Sequence, residues 1–225
     1  MPVTIEDRSP DTCSAAAIER WRQVPVAVAV DVSHAECQID HLIRPLCRPG
    51  QQPRLFGRAV TALCEPPDFG AVLYALDKIK PGDVLVIAAA GHTETAMIGE
   101  ILGGHLRRLG ACGLVSDGAI RDVAELAKWN DLSVFSRAIT PRGPTSADRG
   151  RVNASVVVGG RFISPGDLII GDDDGLVSLD PKSIIKFIAE AEAKLAREAE
   201  WQSSLASGRT VAQTFQLGSP QGGER

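Results

Sequence analysis

The chain has 225 residues, 44% of them hydrophobic and 23% charged, with a formal net charge of −4. That length holds one sizeable domain or two small ones, and the balance is that of an ordinary soluble globular protein. The negative charge, the absence of a Lys/Arg-rich run and the few aromatics (one Tyr, six Phe, three Trp) argue against a nucleic-acid partner.

Residues 14–22 read as a short helix that Pro25 ends. The Val-rich 26–30 fits a strand, with a helix still open over so short a run. The stretches 37–45 and 55–62 look extended about a Pro49-Gly50 turn, and 69–76 reads as a helix. Ile79-Lys80-Pro81-Gly82-Asp83 predicts a turn, with Gly supplying a positive φ, ahead of a buried strand at 84–88. The same phrase returns as Ile163-Ser164-Pro165-Gly166-Asp167 before a strand at 168–170. Two strands should therefore enter the body alike, although two copies make no repeat architecture.

Between those phrases, Ile101, Leu102, Leu106 and Leu109 stripe a helix over 99–109. Gly103 and Gly104 weaken it by about 1 kcal/mol each. A strand at 113–116, a helix at 123–128 and an extended 134–137 follow. The Pro-, Gly- and polar-rich 140–150 reads as a loop and candidate lid. A hairpin over 154–163 turns at Gly159-Gly160, and a strand at 176–179 follows the Asp172-Asp173-Asp174-Gly175 turn. Pro181 opens a long helix with apolar Ile184, Ile185, Ile188, Ala191 and Leu195. Its other face alternates Lys and Glu, a solvated surface or a subunit interface. Helices alternate with strands early and β-structure dominates late. This predicts one α/β domain with a mixed central sheet, spanning 14–206 between a flexible start (1–13) and a flexible polar tail (207–225).

Cys13, Cys37, Cys47, Cys64 and Cys112 are widely spaced with no C-x-x-C pair, the pattern of reduced thiols in a cytosolic protein. The first residues carry acids and prolines rather than a basic and then an apolar segment, so no secretory signal is expected. Apolar runs such as 84–90 are too short to span a bilayer. These features predict a cytoplasmic protein with no membrane partner.

Glu100, Arg121 and Asp122 are the candidate chemical set. Twenty residues, 101 to 120, separate Glu100 from Arg121, room for one helix and one strand. An acid at a helix start and an Arg-Asp pair past a strand end can then line one crevice. Two acids and a guanidinium suit a hard divalent cation and an anionic substrate. Plainer readings exist for each. Asp122-Val123-Ala124-Glu125 has the spacing of a capping box, Arg121 after an Asp117-Gly118 turn can be a surface cation, and Glu100 a solvated helix acid. Gly99 lets a ligand approach the backbone, with the open amides of Ile101 and Leu102 aimed at an anion.

The run Asp172-Asp173-Asp174 lacks the Glu eleven residues on that a calcium loop needs and reads as a turn. His34, His41, His92 and His105 show no zinc spacing, although His92, at a predicted strand end, can line the same crevice. No G-x-S-x-G, Walker or G-x-G-x-x-G motif is present.

With Gly99-Glu100, Asp117-Gly118-x-x-Arg121-Asp122, Pro165-Gly166-Asp167 and Gly171-Asp172-x-Asp174-Gly175, the chain resembles the regulator of ribonuclease activity A-like family over about 43–179. That family includes divalent-metal-dependent 4-hydroxy-4-methyl-2-oxoglutarate aldolases. Its enzymatic members carry an acid, twenty residues and then Arg-Asp, as Glu100 to Asp122 do. The resemblance implies a β-rich fold of the swivelling β/β/α type, assembled as a homotrimer or homohexamer with sites between subunits. It implies magnesium or manganese held largely through waters by Asp122 and Glu100. It also implies a small 2-oxo acid substrate, its carboxylate gripped by Arg121, Gly99 and the amides of Ile101 and Leu102.

Cleavage of a 4-hydroxy-2-oxo acid leaves a pyruvate enolate, and oxaloacetate decarboxylation passes through the same species, so one lyase site should serve both. No lysine is placed for a Schiff base, which favours a metal route. A second implied reading is a non-catalytic protein that inhibits an endoribonuclease. The intact Glu100, Arg121 and Asp122 favour the lyase.

Overall fold

An apolar run buried on both faces needs strand neighbours on each side and cover above and below. Residues 83–88 are such a run, buried throughout. In the computed structural model, which describes residues 2–8 and 13–218, they lie at the centre of a ten-stranded mixed sheet.

The chain begins with β1 (Thr4–Ile5), α1 (Ala15–Glu19), a 3-10 turn (Arg20–Gln23), α2 (Val26–Val32), β2 (Arg44–Pro45) and β3 (Leu55–Leu63). It continues through α3 (Gly70–Leu76), β4 (Asp83–Ala88), β5 (Ala96–Ile98), α4 (Glu100–Arg108), β6 (Gly113–Ile120), α5 (Val123–Leu126) and β7 (Ser133–Ile139). The last part holds β8 (Arg151–Val152), β9 (Val156–Val158), β10 (Arg161–Ile163), β11 (Leu168–Asp172), β12 (Gly175–Leu179), α6 (Pro181–Ala206) and α7 (Val211–Thr214).

Strands β3, β4, β6 and β7 pair in parallel, and β11 joins the start of β3 antiparallel, carrying β12 with it. Three cores follow from the alternation of side chains along the strands. Leu85 and Ile87 face α3 and α4. Val84, Val86 and Ala88 face the β9–β10 hairpin and Ile169. Leu168 and Ile170 point the other way, onto α2 and α6. The result is one α/β domain with a mixed sheet, as the element pattern predicts. Among the described residues no helix is long and apolar enough to cross a membrane.

The two Pro-Gly-Asp phrases build the same turn. Gly82 and Gly166 take positive φ, and the Asp83 and Asp167 carboxylates accept the N–H of Lys80 and Ser164. Gly159 and Gly160, both at positive φ, close the hairpin as expected.

Four local expectations are corrected. Residues 26–32 form a helix, because Val26, Ala29 and Val32 present one buried stripe and Asp172 accepts the N–H of Val26 at 2.8 Å; packing overrides the β-branched preference. Of the expected extended 37–45, only Arg44–Pro45 is a strand, paired to β7. The start and end of the chain are less bare than expected. Thr4 and Ile5 pair with β8, and in the polar stretch after 206 α7 forms with its own capping box, while Phe215 rests against Trp201 of α6. Met1, residues 9–12 and 219–225 lie outside the described residues.

Asp117-Gly118, fourth, is no turn. Both residues lie inside β6, where pairing passes from β4 (through Ser116) to β5 (from Ala119) and the register against β7 shifts. Glycine at such a bulge permits close backbone approach; a Cβ at Gly118 would come within 2.8 Å of the His92 carbonyl oxygen.

Candidate active site at the ends of two parallel strands

Strands β5 and β6 end side by side with Ile98 opposite Ile120, and the Arg121 N–H donates to the Ile98 carbonyl at 3.1 Å. Beyond Ile98, Gly99 opens α4. Beyond Ile120, Arg121 and Asp122 turn the chain into α5. The ends of parallel strands are where open α/β sheets place ligands.

Asp122 adopts left-handed backbone angles (φ 58°, ψ 33°) and gives α5 no side-chain cap. The expected capping box is therefore absent, because an N-cap needs extended backbone. Glu125 instead pairs with Lys128, and the Asp122 carboxylate reaches the neighbouring helix. Its Oδ2 accepts the Glu100 N–H at 3.1 Å and stands 3.4 Å from Arg121 Nε. Both contacts fall on Oδ2, which leaves Oδ1 without a partner among the described residues. Gly99 makes this approach possible. A Cβ there would collide with the Asp122 carboxylate and lie 2.8 Å from Arg121 Cγ.

The loop at 140–150 lies over the guanidinium. A Cβ on Gly143 would come within 2.5 Å of Arg121 Nη1. This loop is fastened, not hinged. The Arg142 carbonyl accepts the Ala96 N–H, and the Asp68 carboxylate, fully buried, accepts the N–H of Gly70, Asp148 and Arg149 at 2.8, 3.1 and 3.0 Å. Burial alone would raise the Asp68 carboxyl. The Ser146 hydroxyl and the three N–H groups outweigh it and hold the group well below the usual carboxylate range.

Together these elements enclose a cleft of about 340 Å³. Gly99, Ile101, Leu102, Arg121 and Asp122 line it, with Phe69, Leu73, Ala96, Met97, Ile98, Gly143 and Pro144. Ile101 and Leu102 occupy the first turn of α4, where N–H groups have no intrahelical acceptor. Glu100 joins through its N–H, while its side chain is exposed and outside the cleft lining. His92 does not line it either.

Asp117 is also apart from the cleft. Burial pushes its carboxyl upward, against the N–H groups of Ala89 and Gly91 that favour its charge, and it bonds the end of β4 at Ala89. The apolar wall and the Gly143 contact carry no local sequence signal beyond the Pro/Gly content of the loop. The acids at 172–174 serve as turn and cap, with Asp173 accepting the Gly50 N–H.

The donor chemistry can be tested against a metal. Among the described residues no three His, Cys, Asp or Glu side chains converge. Asp122 is the one carboxylate among the residues that line the cleft, with the Glu100 side chain outside the lining, so hard oxygen donors are few. Such a set fits a divalent cation that keeps most of its water, as magnesium does, and does not fit a protein-caged zinc or calcium.

Comparison with known proteins identifies the family and the fold. The RraA-like family, described as Aldolase/RraA, matches residues 21–178. A protein of Halalkalibacterium halodurans named "Putative 4-hydroxy-4-methyl-2-oxoglutarate aldolase" is 34% identical over 165 residues, covering 73% of this chain and 76% of that one. A Streptomyces coelicolor structure, described as an unusual member of the RNase ES inhibitor RraA protein family, superposes with a TM-score of 0.73 at 26% identity, over 85% of this chain and 97% of that one. A Pseudomonas syringae pv. tomato structure shares the fold with a TM-score of 0.79 at 22% identity, over 92% of this chain and all of the other. The match over most of the chain and the shared fold make this protein a member of the RraA-like family.

Proposed function

We propose that the chain is a divalent-metal-dependent lyase that cleaves 4-hydroxy-2-oxo acids to pyruvate and decarboxylates oxaloacetate at the same site. The observation that carries this reading is the convergence of Arg121, Asp122 and the open amides of Ile101 and Leu102 around Gly99, where two parallel strands end. The name of the H. halodurans relative supports the reaction type.

Arg121 takes the substrate carboxylate in a two-pronged hydrogen bond, and the first turn of α4 faces the same anion with its positive dipole end. This fixes the oxo acid with its C3–C4 bond aligned for scission. Asp122, through its unpartnered oxygen, accepts the 4-hydroxyl proton directly or through one water. As the bond breaks, its electron pair moves to C3 and the 2-oxo oxygen, giving pyruvate enolate, which is then protonated at C3. A magnesium or manganese ion, held by Asp122 and Glu100 through its waters, supplies Lewis-acid stabilisation of the charge on that oxygen when bound.

Ile101, Ile139, Val157 and Phe162 are exposed on the single chain. Such side chains suit an interface, and we assign the working form as a cytoplasmic homotrimer or homohexamer.

The test is pyruvate release from several 4-hydroxy-2-oxo acids and from oxaloacetate, with and without EDTA. Release that EDTA abolishes and magnesium or manganese restores supports the lyase. Its absence with every substrate favours the second reading, a protein-binding inhibitor of an endoribonuclease, which the S. coelicolor likeness supports.

A further inference from the structure

Asp122, with φ 58°, is one of two left-handed residues other than glycine on the segments that lead to the paired ends of β5 and β6; the other is Ala90 (φ 52°), followed by Gly91 (φ 73°). Such angles cost free energy in a residue with a Cβ and persist only where the surroundings enforce them. At 89–91, just past the end of β4, Asp117 enforces them. Its carboxylate, 4% exposed, accepts the Ala89 N–H at 2.6 Å and the Gly91 N–H as well. N–H groups of a tight turn aimed at one point form a cradle for an anion, and here a side chain of β6 fills it. Gly118 lets the turn lie this close, since a Cβ there would come within 2.8 Å of both the His92 carbonyl oxygen and the Ala89 Cβ.

The same turn leads straight to the cleft. The His92 carbonyl accepts the Ala119 N–H at 3.1 Å, at the point where β6 leaves β4 and takes β5 as its neighbour. Ala119 stands opposite Ala96, the first residue of β5. Strand β5 is three residues long, the lower limit for a strand, so its place against β6 depends on the turn that delivers it. From β7, the Arg137 guanidinium donates to the Asp117 carbonyl at 3.0 Å and to Asp40, which fixes the backbone that carries the carboxylate.

We infer that, on the lyase reading above, Asp117 is a positioning residue of the reaction: by clamping the 89–91 turn it sets β5 against β6 and holds Gly99 and α4 in place beside Arg121 and Asp122. Asp117 lies outside the cleft lining and acts through the His92 carbonyl and the Ala119 N–H. The two bonds that close the site, Arg121 N–H to the Ile98 carbonyl and Glu100 N–H to Asp122 Oδ2, both cross from β6 to β5 and its helix. A slip of β5 along β6 would strain both and move the Asp122 carboxylate off its line to the reacting atoms.

The test is steady-state pyruvate release by folded variants, well below their melting temperatures, read beside amide hydrogen exchange. Asp117→Asn keeps one acceptor oxygen for Ala89 and should lower kcat about tenfold, while Asp117→Ala keeps none and should lower it about 100-fold. KM should stay within about twofold of the natural value, because Arg121 still meets the substrate carboxylate. Exchange should quicken about tenfold at the Ala119 and Arg121 N–H groups and keep its natural rate in β11 and β12. A kcat that neither substitution moves, or exchange that quickens equally in β11 and β12, overturns the inference and leaves Asp117 a purely stabilising role. Should neither variant fold, Gly91→Ala decides. Its Cβ meets open space and only the φ of 73° resists it, so kcat should fall severalfold, and an unchanged kcat overturns the inference. A natural chain that releases no pyruvate removes the lyase reading, and exchange then decides alone: quickening confined to the ends of β5 and β6 keeps Asp117 as their clamp, and quickening spread over the sheet removes it.

Discussion

Two aspartates beside the cleft use backbone N–H groups in opposite ways. Asp68 is fully buried and holds three N–H donors and the Ser146 hydroxyl. Asp122 is 37% exposed and holds one N–H, with a guanidinium at 3.4 Å. A carboxylate has about four acceptor positions. Asp68 fills them and becomes a fastener for the loop that carries Gly143 and Pro144. Asp122 leaves Oδ1 without a partner among the described residues and lines the cleft. Saturation makes Asp68 a structural acid, and spare capacity is what the proposed reaction asks of Asp122.

The contrast can be broken most directly at Asp122. Asp122→Asn keeps an acceptor for the Glu100 N–H but removes the charge. Pyruvate release should fall by about 100-fold or more with an unchanged melting temperature, and full activity would leave Asp122 only its tie to the Glu100 N–H of α4. At Asp68 the effect should appear in stability. Asp68→Ala leaves three N–H groups, that of Gly70 buried, without their acceptor and should cost about 2 kcal/mol by urea unfolding. A loss under 0.5 kcal/mol, well below the usual cost of one such group, would show that the loop is not held there.

Gly143→Ala sharpens the link between the two, since its Cβ would press on Arg121 Nη1. It should raise KM for 2-oxo acids by about tenfold through a displaced guanidinium, while stability stays near that of the natural chain. The smallest effect concerns pH. The Asp68 carboxyl is held below its unfolded value of about 4, so its contribution is complete above that pH and fades as pH falls through the native value. Acid unfolding followed from pH 5 downward should be steeper for the natural chain than for Asp68→Asn, and equal slopes would remove Asp68 from the linkage.

Much of this molecule is legible where the signal is short-range. The Pro-Gly-Asp turns, the Gly159-Gly160 hairpin and the Pro181 start of α6, capped by Asp180, each depend on residues within a few positions. Glu100, Arg121 and Asp122 could be chosen because their spacing places them at successive element ends. Errors arise where a distant partner decides. The 26–32 helix is settled by Asp172 and α6, and β5 is too short to announce itself without β6 beside it. The Asp117-Gly118 bulge exists because the sheet changes neighbours there.

Composition, turn chemistry and hydrophobic period alone determined one α/β domain, and the spacing alone brought an acid and an Arg-Asp pair to neighbouring element ends. Only the tertiary structure decided which helix Asp122 serves and that the 140–150 loop is tied down. The physical reason is range. Periodicity and turn preference act between residues close along the chain, whereas the use of a carboxylate's lone pairs depends on which N–H groups the folded sheet brings to it.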